Sequence, residues 1–334
     1  MPFSAQTSPA DSPSHLQSSR ACAHRLSRRT LLKGVGGLAA ASVIGGGAVV
    51  AGSAPAQAAL TVAEHEDHGR MQYYKLATSS IGWLPRVNVL LPDGYDTSRR
   101  YPVLFLLHGG GENYSTFDAK YDIRNHTAGR DLIVVMPDGG AAGWYCDPES
   151  SNVGPRNWET FHIKELLPWV DATFATTGQA SGRAVSGFSM GGFGALKYAA
   201  KHPELFGSVS CHSGPADLRI QDGAVVHWAN FTAGATDLKG GTIYGIPWDQ
   251  VRVSADNPVE HVESYRGKRI FLVSGTESDR YESVVLPSQR SFEKALDGAG
   301  IGYERYEDTG AHVVRWGRIQ QDIDSLLNYF ATAG

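Results

Sequence analysis

Residues 187–191 read Gly-Phe-Ser-Met-Gly, which places Ser189 between two glycines. A serine hydroxyl attacks an acyl carbon only if a base takes its proton and hydrogen-bond donors receive the charge that develops on the carbonyl oxygen. In a chain with 39 glycines such a string can arise by chance, so its surroundings have to decide. Upstream, Arg183 to Ser186 has the β-branched, apolar character of a core strand; downstream, Gly191 to Lys201 reads as a helix. A strand, a sharp turn and a helix lift a serine above a sheet edge and turn the helix N-terminus and the Met190 amide toward the oxyanion. Side chains at 187 and 191 would collide with neighbouring backbone in such a turn, which accounts for the glycines.

A second oxyanion donor is expected from the stretch VLFLLHGGG, where an apolar strand ends in Gly109, Gly110 and Gly111. Bare glycine amides can approach a ligand closely, and Gly110 is the donor we expect. His108, at a buried strand end, reads as structural. In a nucleophile–acid–histidine order, the acid follows a later core strand. RIFLV runs into SGTESDR and offers Glu277 and Asp279, of which Asp279 lies further into the loop. His312 is the only histidine after it. The expected division of labour is Ser189 as nucleophile, His312 as base, and Asp279 as the carboxylate that holds the imidazole tautomer.

Elements able to position these groups follow from the hydrophobic pattern. Strand character appears at Met71 to Leu76, Arg86 to Leu91, Val103 to Leu107, Leu132 to Met136, Arg183 to Ser186, Gly207 to Ser210, Arg269 to Val273 and Tyr303 to Glu307. Helical spacing appears at Trp158 to Phe174, Gly191 to Lys201, Pro287 to Ala299 and Trp316 to Phe330. Alternation of the two predicts a doubly wound, mostly parallel central sheet flanked by helices, and with the serine turn and the Ser–acid–His order it reads as an α/β-hydrolase fold. Residues 215–266 show no clear period and read as an insertion overhanging the site. Its Trp228 is a candidate gate; Trp144, Tyr145 and Trp158 read as packing, and His212 as structural.

The N-terminal part reads differently. Paired arginines in SRRTLLKG precede a Gly/Ala/Val-rich apolar stretch, and Ala56-Gln57-Ala58 suits a signal peptidase. Residues 1–58 are therefore expected to be a twin-arginine export signal handled by the export machinery, leaving a secreted catalytic domain, 59–334, without a stable membrane anchor. A net charge of −4 gives no reason to expect nucleic acid as a partner. Cys146 and Cys211 could pair in an oxidising compartment, but spacing alone does not bring their sulfurs together. Neither CxxC nor HExxH occurs, so no metal or cofactor is expected.

The stretches MQYYKLATSSIGWLPRVNVLLPDGY, YPVLFLLHGGGENYSTFD, LIVVMPDGG, NWETFHIKELLPWVD, AVSGFSMGGFGALKYAAKHPELF, GTESD and GAHVVRWG together resemble the esterase D superfamily. That branch contains carboxylesterases, feruloyl esterases and the secreted mycolyltransferases of the antigen 85 complex. The resemblance implies Ser189, Asp279 and His312 as the triad and the Gly110 and Met190 amides as the oxyanion hole. Where the mycolyltransferases carry leucine and arginine after the third strand, this chain has Gly110 and Gly111, closer to the hydrolytic esterases. Hydrolysis of a small-molecule or glycan-linked ester is thus expected first. Acyl transfer to a sugar or glycerol hydroxyl comes second, and a non-catalytic binding protein on the same fold third.

Overall fold

The computed structural model describes residues 60–333, and the stretch read as an export signal lies outside them. Nine strands form one mixed sheet: β1 (Thr61–His68), β2 (Met71–Ala77), β3 (Arg86–Leu90), β4 (Val103–Leu107), β5 (Ile133–Pro137), β6 (Arg183–Phe188), β7 (Ser208–His212), β8 (Arg269–Gly275) and β9 (Glu304–Asp308). Their spatial order is β1-β2-β3-β5-β4-β6-β7-β8-β9. β1, β2, β3 and β5 pair antiparallel, and every pairing from β5 to β9 is parallel. The α/β-hydrolase sheet expected from the pattern is therefore present, with one strand more than the pattern revealed. β1 escaped because TVAEHEDH is exposed along its whole length and has no apolar alternation; backbone pairing with β2 and the Glu64–Lys75 ion pair hold it.

The parallel strands are apolar on both faces because helices cover both. Val103, Phe105 and Leu107 of β4 point into one core and Leu104 and Leu106 into the other; Ile133 and Val135 of β5 part from Val134 and Met136 in the same way. The first core is closed by α3 (Leu167–Thr173), which continues a π-helical stretch Thr160–Leu166, by α4 (Met190–Lys201), and by Phe292 and Leu296 of α7 (Glu282–Ala299). The second lies under Ile319, Ile323 and Leu326 of α8 (Trp316–Ala333), with Phe117 and Ile123 from the one-turn helices α1 (Thr116–Ala119) and α2 (Ile123–His126).

The aperiodic stretch 215–266 contains real helices. α5 (Ile220–Ala235) opens on three residues of positive φ, Gln221, Asp222 and Gly223, and then buries Val225, Val226, Ala229 and Ala233. α6 (Gln250–Asp256) is capped by the Asp249 carboxylate, which accepts from the Val251 and Arg252 amides. Cys146 and Cys211 are separate free thiols, both buried. No helix among the described residues is long and apolar enough to cross a membrane.

One charged group ties the centre of the sheet together from beneath. Asp322 of α8, 6 % exposed, accepts from Arg269 at 2.7 Å, Ser210 at 2.7 Å and Ser186 at 3.3 Å, and lies 2.8 Å from His212 Nε2. Burial opposes its charge, but the Arg269 guanidinium and these hydrogen bonds outweigh that cost and hold its pKa at about 2. Removing one partner from such a pair leaves the other buried and unpaired. Asp322→Ala should therefore destabilise the fold by about 3–5 kcal/mol, measured by urea unfolding; a loss below about 1 kcal/mol would show that the network is not a structural tie.

Candidate active site

Parallel strands β4, β6, β7 and β8 end at one edge of the sheet, where α/β folds gather their ligands. β6 ends in a turn that Ser189 makes with φ +55° and ψ −118°, a strained backbone for a residue other than glycine. The turn is possible because Gly187 and Gly191 touch: a Cβ on Gly187 would lie 2.3 Å from the Gly191 backbone, and one on Gly191 would lie 2.1 Å from Leu107 O. The Ser189 amide donates to His212 O at 2.8 Å, locking the turn to β7. Ser189 thus stands at the start of α4 with its hydroxyl over the sheet edge.

His312 comes from the loop between β9 and α8. Its Nε2 is 2.8 Å from Ser189 Oγ. Its Nδ1 is 3.1 Å from Glu282 Oε1, and Glu282, the first residue of α7, is 1 % exposed. Among the described residues the second Glu282 oxygen has no hydrogen-bond partner, so the imidazole is the group best placed to compensate the carboxylate when it takes a proton.

The expectation that Asp279 holds the imidazole is corrected by this geometry. The Asp279 carboxylate instead accepts from backbone: Oδ1 from the Tyr281 and Glu282 amides, each at 2.7 Å, and Oδ2 from the His312 amide at 2.8 Å. Desolvation pushes its pKa up, but the Glu282 and His312 amides outweigh it and hold the carboxyl below the usual aspartate range. Asp279 thus binds the backbone amides at the entry to α7 and tethers the His312 loop, while Glu282 meets the ring. The signal was in the sequence: Asp279-Arg280-Tyr281-Glu282 has capping-box spacing, which marks the aspartate as a helix start. Reading Pro287 as the first residue of the helix placed the start of α7 five residues after Glu282 and hid that residue; the proline lies inside α7. Glu277 has its backbone bonded to Gly310 O and is not at the ring.

Gly110 and Met190, the expected oxyanion donors, both line the cavity that contains Ser189 and His312, a space of about 360 Å³. Gly109 and Gly111 use their amides elsewhere, toward Glu112 Oε2 at 2.9 Å and Ala141 O at 2.7 Å. No protein acceptor engages the Gly110 or Met190 amide among the described residues. Met190 is the first residue of α4, where no intrahelical partner exists. Aromatic rings form the cavity's other walls: Trp228 of α5 stacks on Tyr281 with centroids 5.3 Å apart, Tyr281 lies 5.0 Å from His312, and Trp144 meets Trp228 edge-on at 5.1 Å. Trp144, expected to be packing, is therefore a wall of the cavity; Tyr145 and Trp158 are buried beneath it.

The rings of three other buried histidines bond away from Ser189. His108 Nδ1 donates to Gly109 O at 2.9 Å, and Nε2 accepts from the Gly139 amide at 2.9 Å, which fixes the orientation of the ring. His162 is 2.8 Å from Asp138 O and 2.9 Å from the Tyr198 hydroxyl. His212 faces Asp322. No three His, Cys, Asp or Glu side chains gather as a metal ligand set among the described residues.

A family model described as "Putative esterase" matches residues 78–322. The chain belongs to this esterase family. Esterase Rv1288 of Mycobacterium tuberculosis strain H37Rv is 57 % identical over 277 residues, 80 % of this chain and 60 % of that relative. The chain thus spans about three-fifths of that relative's length. Among solved structures, an S-formylglutathione hydrolase from Agrobacterium tumefaciens superposes with a TM-score of 0.64 at 19 % identity, covering 81 % of this chain and 99 % of that one. M. tuberculosis MPT51 gives 0.62 at 21 % identity with the same coverage. These likenesses show a shared α/β-hydrolase fold.

Glu282→Gln should lower kcat by about 10³–10⁴ with KM little changed, a far larger loss than Asp279→Asn causes, because a neutral amide cannot stabilise the imidazolium; the reverse order in steady-state ester hydrolysis would return the ring to Asp279. Burial lowers the His162 pKa from 6.5 to about 4, against the opposing pull of the Asp138 carbonyl. The unfolded chain therefore binds this proton first. His162 contributes stability that is fully present above pH 6.5 and lost as pH falls toward about 4, at most about 3 kcal/mol. Urea unfolding from pH 7 to 4 should show a shallower decline in His162→Gln than in the parent; parallel declines would contradict this.

Proposed function

We propose that the protein hydrolyses carboxylic esters through an acyl-enzyme on Ser189. The observation that carries this reading is the chain of contacts from Ser189 Oγ through the two ring nitrogens of His312 to the buried Glu282, at 2.8 and 3.1 Å. His312 Nε2 takes the hydroxyl proton as Oγ attacks the ester carbonyl, and Glu282 stabilises the resulting imidazolium. The Gly110 and Met190 amides donate to the tetrahedral oxyanion. As that intermediate collapses, the imidazolium gives its proton to the departing alcohol. A water then attacks the acyl-enzyme with the same histidine as base, and the acid leaves.

The aromatic walls suit an apolar or aryl acyl group of small to medium size, and the alcohol side is a small-molecule or glycan-linked hydroxyl. The reading includes export through the twin-arginine signal at 1–58. Hydrolysis ranks above acyl transfer because Gly110 and Gly111 leave the oxyanion loop bare and open to water.

Product analysis on p-nitrophenyl esters, with and without glycerol or a sugar as acceptor, tests both parts. Free acid should dominate in either case, and Ser189→Ala should lose at least about 10⁴ in kcat/KM. Acyl transfer that dominates at low acceptor concentration would replace hydrolysis with transferase chemistry, and activity that survives Ser189→Ala would remove the acyl-enzyme.

A further inference from the structure

Three consecutive glycines are a poor way to hold one amide still, since each backbone unit has access to more conformations than any other residue allows. Yet among the described residues two of the three N–H groups in the loop after β4 are bonded and only that of Gly110 is left without a protein acceptor. Gly111 is fixed by Ala141 O. Gly109 is fixed by a side chain from the same loop, Glu112, whose Oε2 accepts its amide at 2.9 Å. The other oxygen of Glu112, Oε1, accepts from the Tyr121 hydroxyl at 2.8 Å and from Lys120 Nζ at 3.3 Å. Both oxygens are thereby engaged, one toward the glycine loop and one toward the segment between α1 and α2. Glu112 also lines the cavity that holds Ser189, although no step above uses it.

We propose that Glu112 is a positioning residue of the oxyanion hole, a bracket that ties the Gly109 amide to the α1–α2 segment so that the Gly110 amide faces the reacting carbonyl. This rests on the acyl-enzyme reading. A carboxylate facing a developing oxyanion would by itself oppose catalysis; here its charge is met by the Gly109 N–H, the Tyr121 hydroxyl and the Lys120 ammonium. The bracket's contribution is preorganisation. A freed loop must be reordered in each transition state, which costs rate, whereas the ground-state ester makes little use of the hole and its binding is spared.

The test is the kcat and KM of Glu112→Ala and Glu112→Gln on p-nitrophenyl butyrate, beside the parent and Ser189→Ala. The affinity of an aryl trifluoromethyl ketone, whose serine adduct carries an oxyanion in the hole, is measured in the same variants. Glu112→Ala should lose about 10–100-fold in kcat, less than deleting a donor outright, with KM within threefold and ketone affinity falling in step with kcat/KM. Gln keeps a carbonyl oxygen for the Gly109 amide and should recover most of the rate. Unchanged kcat in Glu112→Ala, or a loss confined to KM, would overturn the proposal. If Glu112→Ala does not fold, Tyr121→Phe decides: it leaves the carboxylate but removes one holder, and should lose about 3–10-fold in kcat, whereas no loss overturns the bracket. A parent without Ser189-dependent turnover would instead refute the acyl-enzyme reading itself.

Discussion

The strained turn at Ser189 is the constraint on which the rest of the site depends. Holding a non-glycine residue at φ +55° costs on the order of 1–3 kcal/mol and persists only where the surroundings leave no alternative. Here the crossing of Gly187 and Gly191 admits no side chain, the Ser189 amide is bound to β7, and the Ser213 amide is bound in turn to Val273 O of β8. Beneath the same strands, Asp322 joins Ser186, Ser210, His212 and Arg269. The position of Ser189 is thus set by three parallel strands and a helix on the far face, and the loops above need only bring the remaining groups to it.

Those loops divide the work between two carboxylates three residues apart. Asp279 accepts three backbone amides and fixes where the His312 loop and the start of α7 stand; Glu282 meets the ring. Each carboxylate suits its own task. One surrounded by amides is already stabilised and gains little from a nearby cation, whereas a buried one with an oxygen unpartnered among the described residues gains much. One carboxylate thus sets where the backbones of His312 and Glu282 stand, and the other meets the imidazole itself.

Much of this was legible in the sequence. The core strands were visible because apolar runs buried on both faces are continuous, and the serine turn because its glycines and flanks agree. Chain order alone singled out His312, whose ring lies beside Ser189. What stayed hidden has physical causes. β1 is held by backbone pairing rather than by burial, so it has no apolar signature. α5 begins with three left-handed residues, Gln221 to Gly223, which break the period before it starts. Glu282 was masked because a proline tolerated inside α7 looked like a helix beginning. The Glu112 bracket was invisible because only the folded loop shows which glycine amides are already bonded.

The acyl-enzyme on Ser189 is the centre of the account, and trapping it is the most direct measurement. Acid quenching during rapid turnover of p-nitrophenyl butyrate, followed by peptide mass mapping, should find a butyryl group on the peptide containing Ser189, formed and lost at rates that match turnover. Continued turnover with no acyl group on that serine, or with the group on another residue, would contradict it.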